Sequence, residues 1–267
     1  MRSQLRRHLG QFFEGTDTPA ALEATIDKAA PAMMASASKA EERAAECPPE
    51  FSPHQYTIML LHIAAEIEHA LMVEYLYAAY SLGGSQVPKQ YQAKVTQWQE
   101  VILGIAKEEM GHLMTVQNIL RCLGGPLNLG REDYPWDSEL TPFPFHLEPL
   151  TQPVLARFIT AESPADWSGA QADHIREIAR RGIDCEAKLH RVGALYALLG
   201  KIISNPALIQ DRDFRASTYP FQANWDEWGR GYRRGARGSS MDGAIPKTPD
   251  VLLIPVASRR DVIAASR

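Results

Sequence analysis

Two long stretches of the chain carry apolar residues at the spacing of an amphipathic helix. The first begins at Ser52-Pro53, where proline suits the first helical turn, and continues to Gly83-Gly84. The second begins near Pro88 and ends at Gly124-Gly125-Pro126. Because only Gly83–Val87 separates them, we predict an antiparallel helix hairpin. The apolar stripes comprise Ile58, Leu61, Ala65, Met72, Tyr75 and Ala79 in the first stretch, and Trp98, Ile102, Ile105, Val116, Ile119 and Leu123 in the second.

Polar residues interrupt both stripes at one height of the predicted hairpin. Glu68 falls inside the first stripe, and Glu109 and His112 fall inside the second, where i and i+3 share a face. A carboxylate on a core stripe is costly unless it is paired or bound to metal, so a metal site and a satisfied polar pair are the two interpretations. Glu66 also reaches this height but lies about 200° around the helix from Glu68. We therefore interpret the competing Glu66-x-x-His69 step as a solvated or salt-bridged pair.

Residues 124–152 form a long segment rich in proline, glycine and aromatic residues. Loops of this length in a compact domain are usually lids, binding loops or disordered segments. Tyr134, Trp136, Phe143 and Phe145 supply apolar anchors that a disordered linker normally lacks. We predict an ordered segment whose rings insert into the helices, either as a fixed cover or as one wall of a substrate pocket.

The rest of the chain predicts further helices and an irregular end. A short helix spans Val154–Glu162 and ends before Ser163-Pro164, and one continuous helix runs from about 170 to 204. On the latter, Glu186 and His190 are four residues apart and share a face. We predict three parts, listed in chain order: an N-terminal helical arm over 1–50, a bundle over 51–204, and an irregular C-terminal extension over 205–267 that packs on the bundle.

The composition is that of a soluble globular protein, with 45% hydrophobic and 22% charged residues. A net charge of −4 argues against nucleic acid or an anionic membrane as the main partner. The 3 cysteines form no Cys-x-x-Cys pair, and their odd number indicates a reducing compartment. No stretch reaches the roughly 18 uninterrupted apolar residues of a membrane span, and the N-terminus lacks a secretory signal. We expect a cytoplasmic protein.

Several short motifs, taken together, are similar to one known family. They are Glu68-His69-Ala70, Tyr75-Leu76-Tyr77-Ala78-Ala79-Tyr80-Ser81, Glu108-Glu109-Met110-Gly111-His112, Leu123-Gly124-Gly125-Pro126, Tyr134-Pro135, Pro142-Phe143, Arg157-Phe158 and Glu162-Ser163-Pro164. Through these motifs the stretch from His54 to Trp167 resembles the ferritin-like iminophenyl-pyruvate dimer synthase domain family. A looser similarity continues through His190-Arg191-Val192-Gly193, Leu195-Tyr196 and the PDVLLIP stretch near the end.

The resemblance implies an all-α, ferritin-like four-helix bundle that binds iron or a similar metal. Carried over by position, Glu162 is the acid before the Ser-Pro stop and His190 is the imidazole of the last core helix. Members often carry a glutamate where this chain has Ala194, and we assign that role to Glu186 instead. Four carboxylates and two imidazoles suit two iron ions, with manganese as the alternative ion. The predicted ligand set is Glu68, Glu109, His112, Glu162, Glu186 and His190.

The function expected from this site is that of a non-haem di-metal oxidoreductase acting with dioxygen or peroxide on a small organic substrate. The resemblance gives oxidative coupling of two imino acids derived from an aromatic amino acid, in secondary metabolism, as one candidate reaction. The alternative is a non-catalytic ferritin-like metal-binding or assembly protein, and a third hypothesis is a metal-free helical scaffold. The expected partners are a small-molecule substrate and either a second copy of the chain or a separate enzyme, because family members continue where this chain stops.

Overall fold

The computed structural model describes residues 47–137, 141–184, 189–224, 253 and 255–266. These residues form α-helices joined by irregular segments, and they contain one isolated β-bridge between Trp136 and Phe145. The predicted arm over 1–50 falls almost wholly outside the described residues. The α-helices are α1 (Pro53–Ser81), α2 (Lys89–Cys122), α3 (Gln152–Ala161), α4 (Ala170–Ala179), α5 (Gly193–Ser204) and α6 (Arg259–Ala265), and short 3-10 helices cover Asp211–Asp213 and Ala216–Phe221.

Helices α1 and α2 form the predicted antiparallel hairpin and pack along one another. A capping box starts α1: the Ser52 hydroxyl accepts from the Gln55 backbone at 3.2 Å, and the Gln55 side chain accepts from the Ser52 backbone at 2.9 Å. Near the other end, the Gln99 side chain donates to the Ala79 carbonyl at 3.0 Å and ties the two helices together. Helix α5 packs on α1 of this hairpin, and the second 3-10 helix packs on α2.

Helix α1 lies at the centre of the bundle, because α5 packs on it beside α2. Tyr56, Leu60 and Tyr75 on α1 are almost completely buried, as is Leu198 on α5. Helix α1 is long and apolar enough to cross a membrane by length and composition alone, but 56% of its most apolar window is buried in the protein. Burial of this kind is typical of a core helix, and the all-α bundle predicted from the sequence is confirmed.

Two details of the predicted helices are wrong. The continuous helix expected from about 170 to 204 is broken: α4 ends at Ala179, and Gly182 adopts a φ of +82°, a left-handed conformation that glycine tolerates and a continuing helix cannot use. Among the described residues, the next helix begins at Gly193. Trp98, which the pattern assigned to the core, is 48% exposed and lies beneath the Lys94 ammonium group.

The aromatic segment packs inward. Phe145 is completely buried, and Phe143 and Trp136 are nearly so, while the Tyr134 hydroxyl donates to the Ala70 carbonyl at 2.5 Å. The rings contact one another edge to face, with centroids 5.0 Å apart for Phe143 and Phe145 and 5.6 Å apart for Trp136 and Phe145. The described part of this segment is therefore an ordered cover on the bundle. Its role as a pocket wall stays a prediction.

Three buried amide side chains hold the irregular segments by a common device. Each amide donates to the carbonyl, and accepts from the N–H, of a single residue, as a neighbouring β-strand would. These "amide grips" join Gln117 to Asn128 (2.7 and 2.8 Å), Asn118 to Ala223 (2.8 and 2.9 Å), and Gln222 to Val256 (2.7 and 2.7 Å). The first two grips fix the aromatic segment and residue 223 to α2, and the third fixes Val256 to Gln222.

Candidate metal centre

The hairpin brings Glu68, Glu109 and His112 together. One ligand atom from each of the three side chains lies within 4.8 Å of the other two. The Nδ1 atom of His112 is 3.3 Å from Glu109 Oε2 and 3.5 Å from Glu68 Oε2. These three residues, hereafter the carboxylate–histidine cluster, come from the two stripes that the sequence pattern defined, at one height on facing helices.

The cluster is buried on the carboxylate side and open on the imidazole side. Glu68 and Glu109 are 1% and 3% exposed, whereas the His112 side chain is 52% exposed. Glu162, at the end of α3, is also exposed. His112 and Glu162 therefore form the solvent-exposed side of the centre, which we call its opening, next to two buried carboxylates.

Electrostatics couple the members of the cluster. Burial raises the pKa of Glu109 well above its ordinary value, and the neighbouring charge of Glu68 raises it further. Burial would also raise the pKa of Glu68, but contacts with Glu109, His112 and Tyr196 outweigh it and lower that pKa. Partial burial would lower the pKa of His112, and the two carboxylates instead raise it above its usual 6.5. Without metal, burial and mutual repulsion thus oppose ionisation of both carboxylates together, and the nearby imidazole favours it.

Tyrosine hydroxyls orient two of the carboxylates. The Tyr196 hydroxyl on α5 donates to Glu68 Oε1 at 2.5 Å, and the Tyr75 hydroxyl on α1 donates to Glu162 Oε1 at 2.7 Å. Glu162 also interacts electrostatically with Glu68 and His112, and burial at the carboxyl raises its pKa. Each hydroxyl occupies one carboxylate oxygen and leaves the other for a second partner. Sequence reasoning missed both tyrosine roles, although a tyrosine on a buried stripe always needs a partner for its hydroxyl.

The two other predicted ligands are His190 and Glu186. His190 is buried, and its backbone N–H donates to the Pro142 carbonyl at 2.8 Å, which fixes the chain before α5 beneath the aromatic segment. Glu186 lies outside the described residues. The ligand roles of Glu162, His190 and Glu186 stay predictions, as do those of the carboxylate–histidine cluster.

The competing Glu66-x-x-His69 step faces another way. Glu66 Oε1 accepts from the Asn128 side chain at 3.1 Å, and His69 Nδ1 lies 3.0 Å from the Leu129 carbonyl. Both residues therefore contact the start of the aromatic segment. Both residues are partly exposed, which agrees with the solvated role suggested by the sequence, and their partners are a side-chain amide and a backbone carbonyl.

The residues of the centre fit a metal ion. Glu68 Oε2 is buried without a hydrogen-bond partner and points toward His112 Nδ1, so the folded protein holds a carboxylate oxygen that lacks a normal donor. Two carboxylates and an imidazole are ligands that Fe and Mn accept. A cation placed among them would balance charges that burial makes unfavourable.

With the fold and centre in view, comparison with known proteins assigns the class. The ferritin-like family matches residues 61–225, more than half of the chain, and the chain belongs to that family. Proteins of this class use carboxylates and histidines on facing helices to hold metal ions. No solved structure matches the chain significantly.

Two individual proteins give a more specific comparison than the family does. The chain is 31% identical to dichlorochromopyrrolate synthase of Lentzea aerocolonigenes, over 42% of this chain and 13% of the relative. It is also 31% identical to 2-imino-3-(indol-3-yl)propanoate dimerase of Chromobacterium violaceum, over 39% of this chain and 13% of the relative. The chain thus spans only a small part of the length of these two relatives.

Proposed function

We propose that the chain is a di-metal oxidoreductase, with iron as the resident metal, that acts with dioxygen or peroxide on an imine derived from an amino acid. The observation that carries the proposal is the carboxylate–histidine cluster, two buried carboxylates and one half-exposed imidazole on facing core helices. A purely structural polar pair has no need of an opening to solvent. A centre that must admit an oxidant and a substrate does.

The protein's own groups have distinct roles in this proposal. Glu68, Glu109 and His112 would hold the metal, with Glu162 at the opening and Glu186 and His190 completing the set. Bound iron would supply the redox chemistry. Tyr196 and Tyr75 keep Glu68 and Glu162 oriented, a role that outer partners of metal ligands commonly have. In this proposal the buried aromatic cover would keep water from the centre.

The proposed substrate class follows from the relatives. One of them is named for dimerising 2-imino-3-(indol-3-yl)propanoate, and the other for making a dichlorinated chromopyrrolate. Oxidative coupling of two such imines forms one carbon–carbon bond and removes two electrons and two protons. Dioxygen takes these up as hydrogen peroxide, or peroxide takes them up as water.

Metal uptake and oxygen consumption test the first half of the proposal. Protein reconstituted anaerobically with Fe(II) and desalted should hold about two ions per chain. It should then consume oxygen faster than the same concentration of free Fe(II). No metal after reconstitution with Fe(II) or Mn(II) would leave the scaffold hypothesis. Metal without oxygen consumption, even with substrate, would leave the non-catalytic alternative.

Product analysis tests the second half. An amino-acid oxidase acting on L-tryptophan or L-phenylalanine supplies the imine in situ, and parallel reactions with and without catalase separate the use of dioxygen from the use of peroxide. We expect coupled dimers by mass spectrometry only when iron-loaded chain is present. Glu109→Gln, which keeps the size of the side chain and removes its charge, should abolish them. Dimers formed equally by this variant would refute a role for the centre.

A further inference from the structure

A second group of polar side chains is buried where α1, α3 and the aromatic segment meet. Glu74 on α1, Arg157 on α3 and Trp136 in the segment are 4%, 2% and 8% exposed. One polar atom of each (Glu74 Oε1, Arg157 Nη1 and Trp136 Nε1) is buried without a hydrogen-bond partner. Such atoms are costly, so three of them at one junction indicate a group that they would bind. We call these three residues the Arg157 cluster.

Backbone contacts place the members at the same junction. Trp136 and Phe145 exchange two backbone hydrogen bonds, of 3.0 and 2.8 Å. The next residue, His146, donates its backbone N–H to Glu74, and the Arg157 guanidinium is close enough to act on the Glu74 carboxyl. A short piece of the segment thus carries Trp136 to the buried faces of α1 and α3.

The three unpartnered atoms favour one kind of ligand. Arg157 is a permanent cation with donors only, and the indole nitrogen of Trp136 is also only a donor. Burial raises the pKa of Glu74 to about 9, so at neutral pH this residue is an uncharged acid that can donate as well. A buried guanidinium accompanied by two further unpartnered donors fits an anion with two acceptor oxygens. We propose that the Arg157 cluster binds the carboxylate of a small organic acid.

Glu148 marks the way into this site. Arg157 Nη2 donates to Glu148 Oε2, and the Glu148 side chain is 43% exposed while that of Arg157 is 3% exposed. The Glu148 carboxylate already lies half in solvent, so it can leave the guanidinium without being buried elsewhere. An incoming carboxylate can therefore replace Glu148 on the guanidinium. In the free protein, the Glu148 carboxylate occupies the position that the carboxylate of the ligand would take.

The Arg157 cluster adjoins the candidate metal centre. Tyr75 follows Glu74 in α1 and donates to Glu162, and Phe158 follows Arg157 in α3 and meets the Tyr75 ring edge-on, with centroids 4.5 Å apart. One pair of rings thus links the two sites. The inference rests on the proposed function only for the identity of the acid, which would be the carboxylate-bearing imine substrate.

Calorimetric titration of the metal-free full chain tests the inference. The probe is 3-(indol-3-yl)propanoate, a stable acid, and its amide is the matched ligand without a charge. We expect the acid to bind at least 10-fold more tightly than the amide. Arg157→Gln should weaken binding of the acid by about 10- to 100-fold and leave the affinity for the amide unchanged. Arg181→Gln, whose parent side chain is 54% exposed, is the control variant and should bind as the wild type does.

A second variant keeps the test decisive if Arg157→Gln does not fold, which circular dichroism will show. Glu148→Gln removes the competing carboxylate and should tighten acid binding several-fold. Equal affinity for acid and amide, or acid binding that neither variant changes, would overturn the inference. Iron titration of the same preparations separates the two proposals. Normal iron uptake without acid binding overturns the carboxylate site alone, and acid binding without iron uptake overturns the proposed function alone.

Discussion

Glu74 makes the protein's stability depend on pH in a direction unusual for a carboxyl group. It is 4% exposed, and burial raises its pKa from 4.5 to about 9, against the opposing effects of the His146 N–H and the Arg157 guanidinium. Glu74→Gln replaces the neutral acid with a neutral amide of nearly the same shape. The variant therefore keeps the packing and loses the titration.

The sign of the effect follows from proton binding. Below pH 4.5 the carboxyl is protonated in both the folded and the unfolded chain, and the stability it contributes is fully present. As the pH rises from there to about 9, the unfolded chain releases the proton and the folded chain retains it. The free energy of unfolding then falls by about 1.4 kcal/mol per pH unit from this group. Between pH 5.5 and 7.5 the free energy of unfolding of the wild type falls by about 2.7 kcal/mol through this group. Glu74→Gln has no titrating carboxyl at this position and does not show this decrease.

Urea unfolding followed by circular dichroism at pH 5.5, 6.5 and 7.5 measures the effect. The stability of Glu74→Gln minus that of the wild type should increase by about 2.7 kcal/mol over this range. Glu177→Gln, whose parent side chain is 72% exposed, controls for general effects of charge and should show a nearly constant difference. A difference for Glu74→Gln that stays constant with pH would refute the reasoning, because the carboxyl would then be ionised in the folded protein.

Three further outcomes can be measured with simpler variants. His112→Ala should lower the metal content of reconstituted protein more than His69→Ala does, because His69 faces the Leu129 carbonyl; equal loss in both would contradict the assignment of helix faces. Tyr196→Phe should keep the metal stoichiometry and weaken affinity by about 10- to 100-fold in a chelator competition, and unchanged affinity would show that the hydroxyl does not orient Glu68. Phe145→Ala should lower the free energy of unfolding by about 3–5 kcal/mol, and a loss under about 1 kcal/mol would mean that the aromatic cover is not part of the core.

The sequence pattern was sufficient for the hairpin because its signals are local. An apolar repeat, a capping serine and a short glycine link determine α1, α2 and their antiparallel order. The break after α4 was missed because apolar residues continue on both sides of Gly182. Periodicity cannot reveal that a single glycine has adopted a left-handed conformation, since glycine is also tolerated inside helices.

Local signals were also sufficient to predict part of the candidate centre. Glu68, Glu109 and His112 could be grouped because a hairpin with a short link fixes which residues share a height. The contacts of Tyr196 with Glu68, and of Arg157 with Glu74, join segments far apart in the chain. Such contacts depend on how α3 and α5 pack on α1. No local spacing encodes that packing.

The amide grips have a consequence for how this protein can vary over evolution. Gln117, Asn118 and Gln222 each recognise the backbone of the residue they hold and ignore its side chain. Position 223 can therefore change identity while its segment keeps the same course, provided that it does not become proline, which lacks the N–H. Positions 128 and 256 are held by their side chains as well, because Asn128 donates to Glu66 and Val256 is completely buried. The gripping amides have no such freedom, because hydrolysis or mutation to the acid would replace a donor with a second acceptor facing a carbonyl. Sequence drift is thus directed to position 223 and away from the three amides that hold the segments.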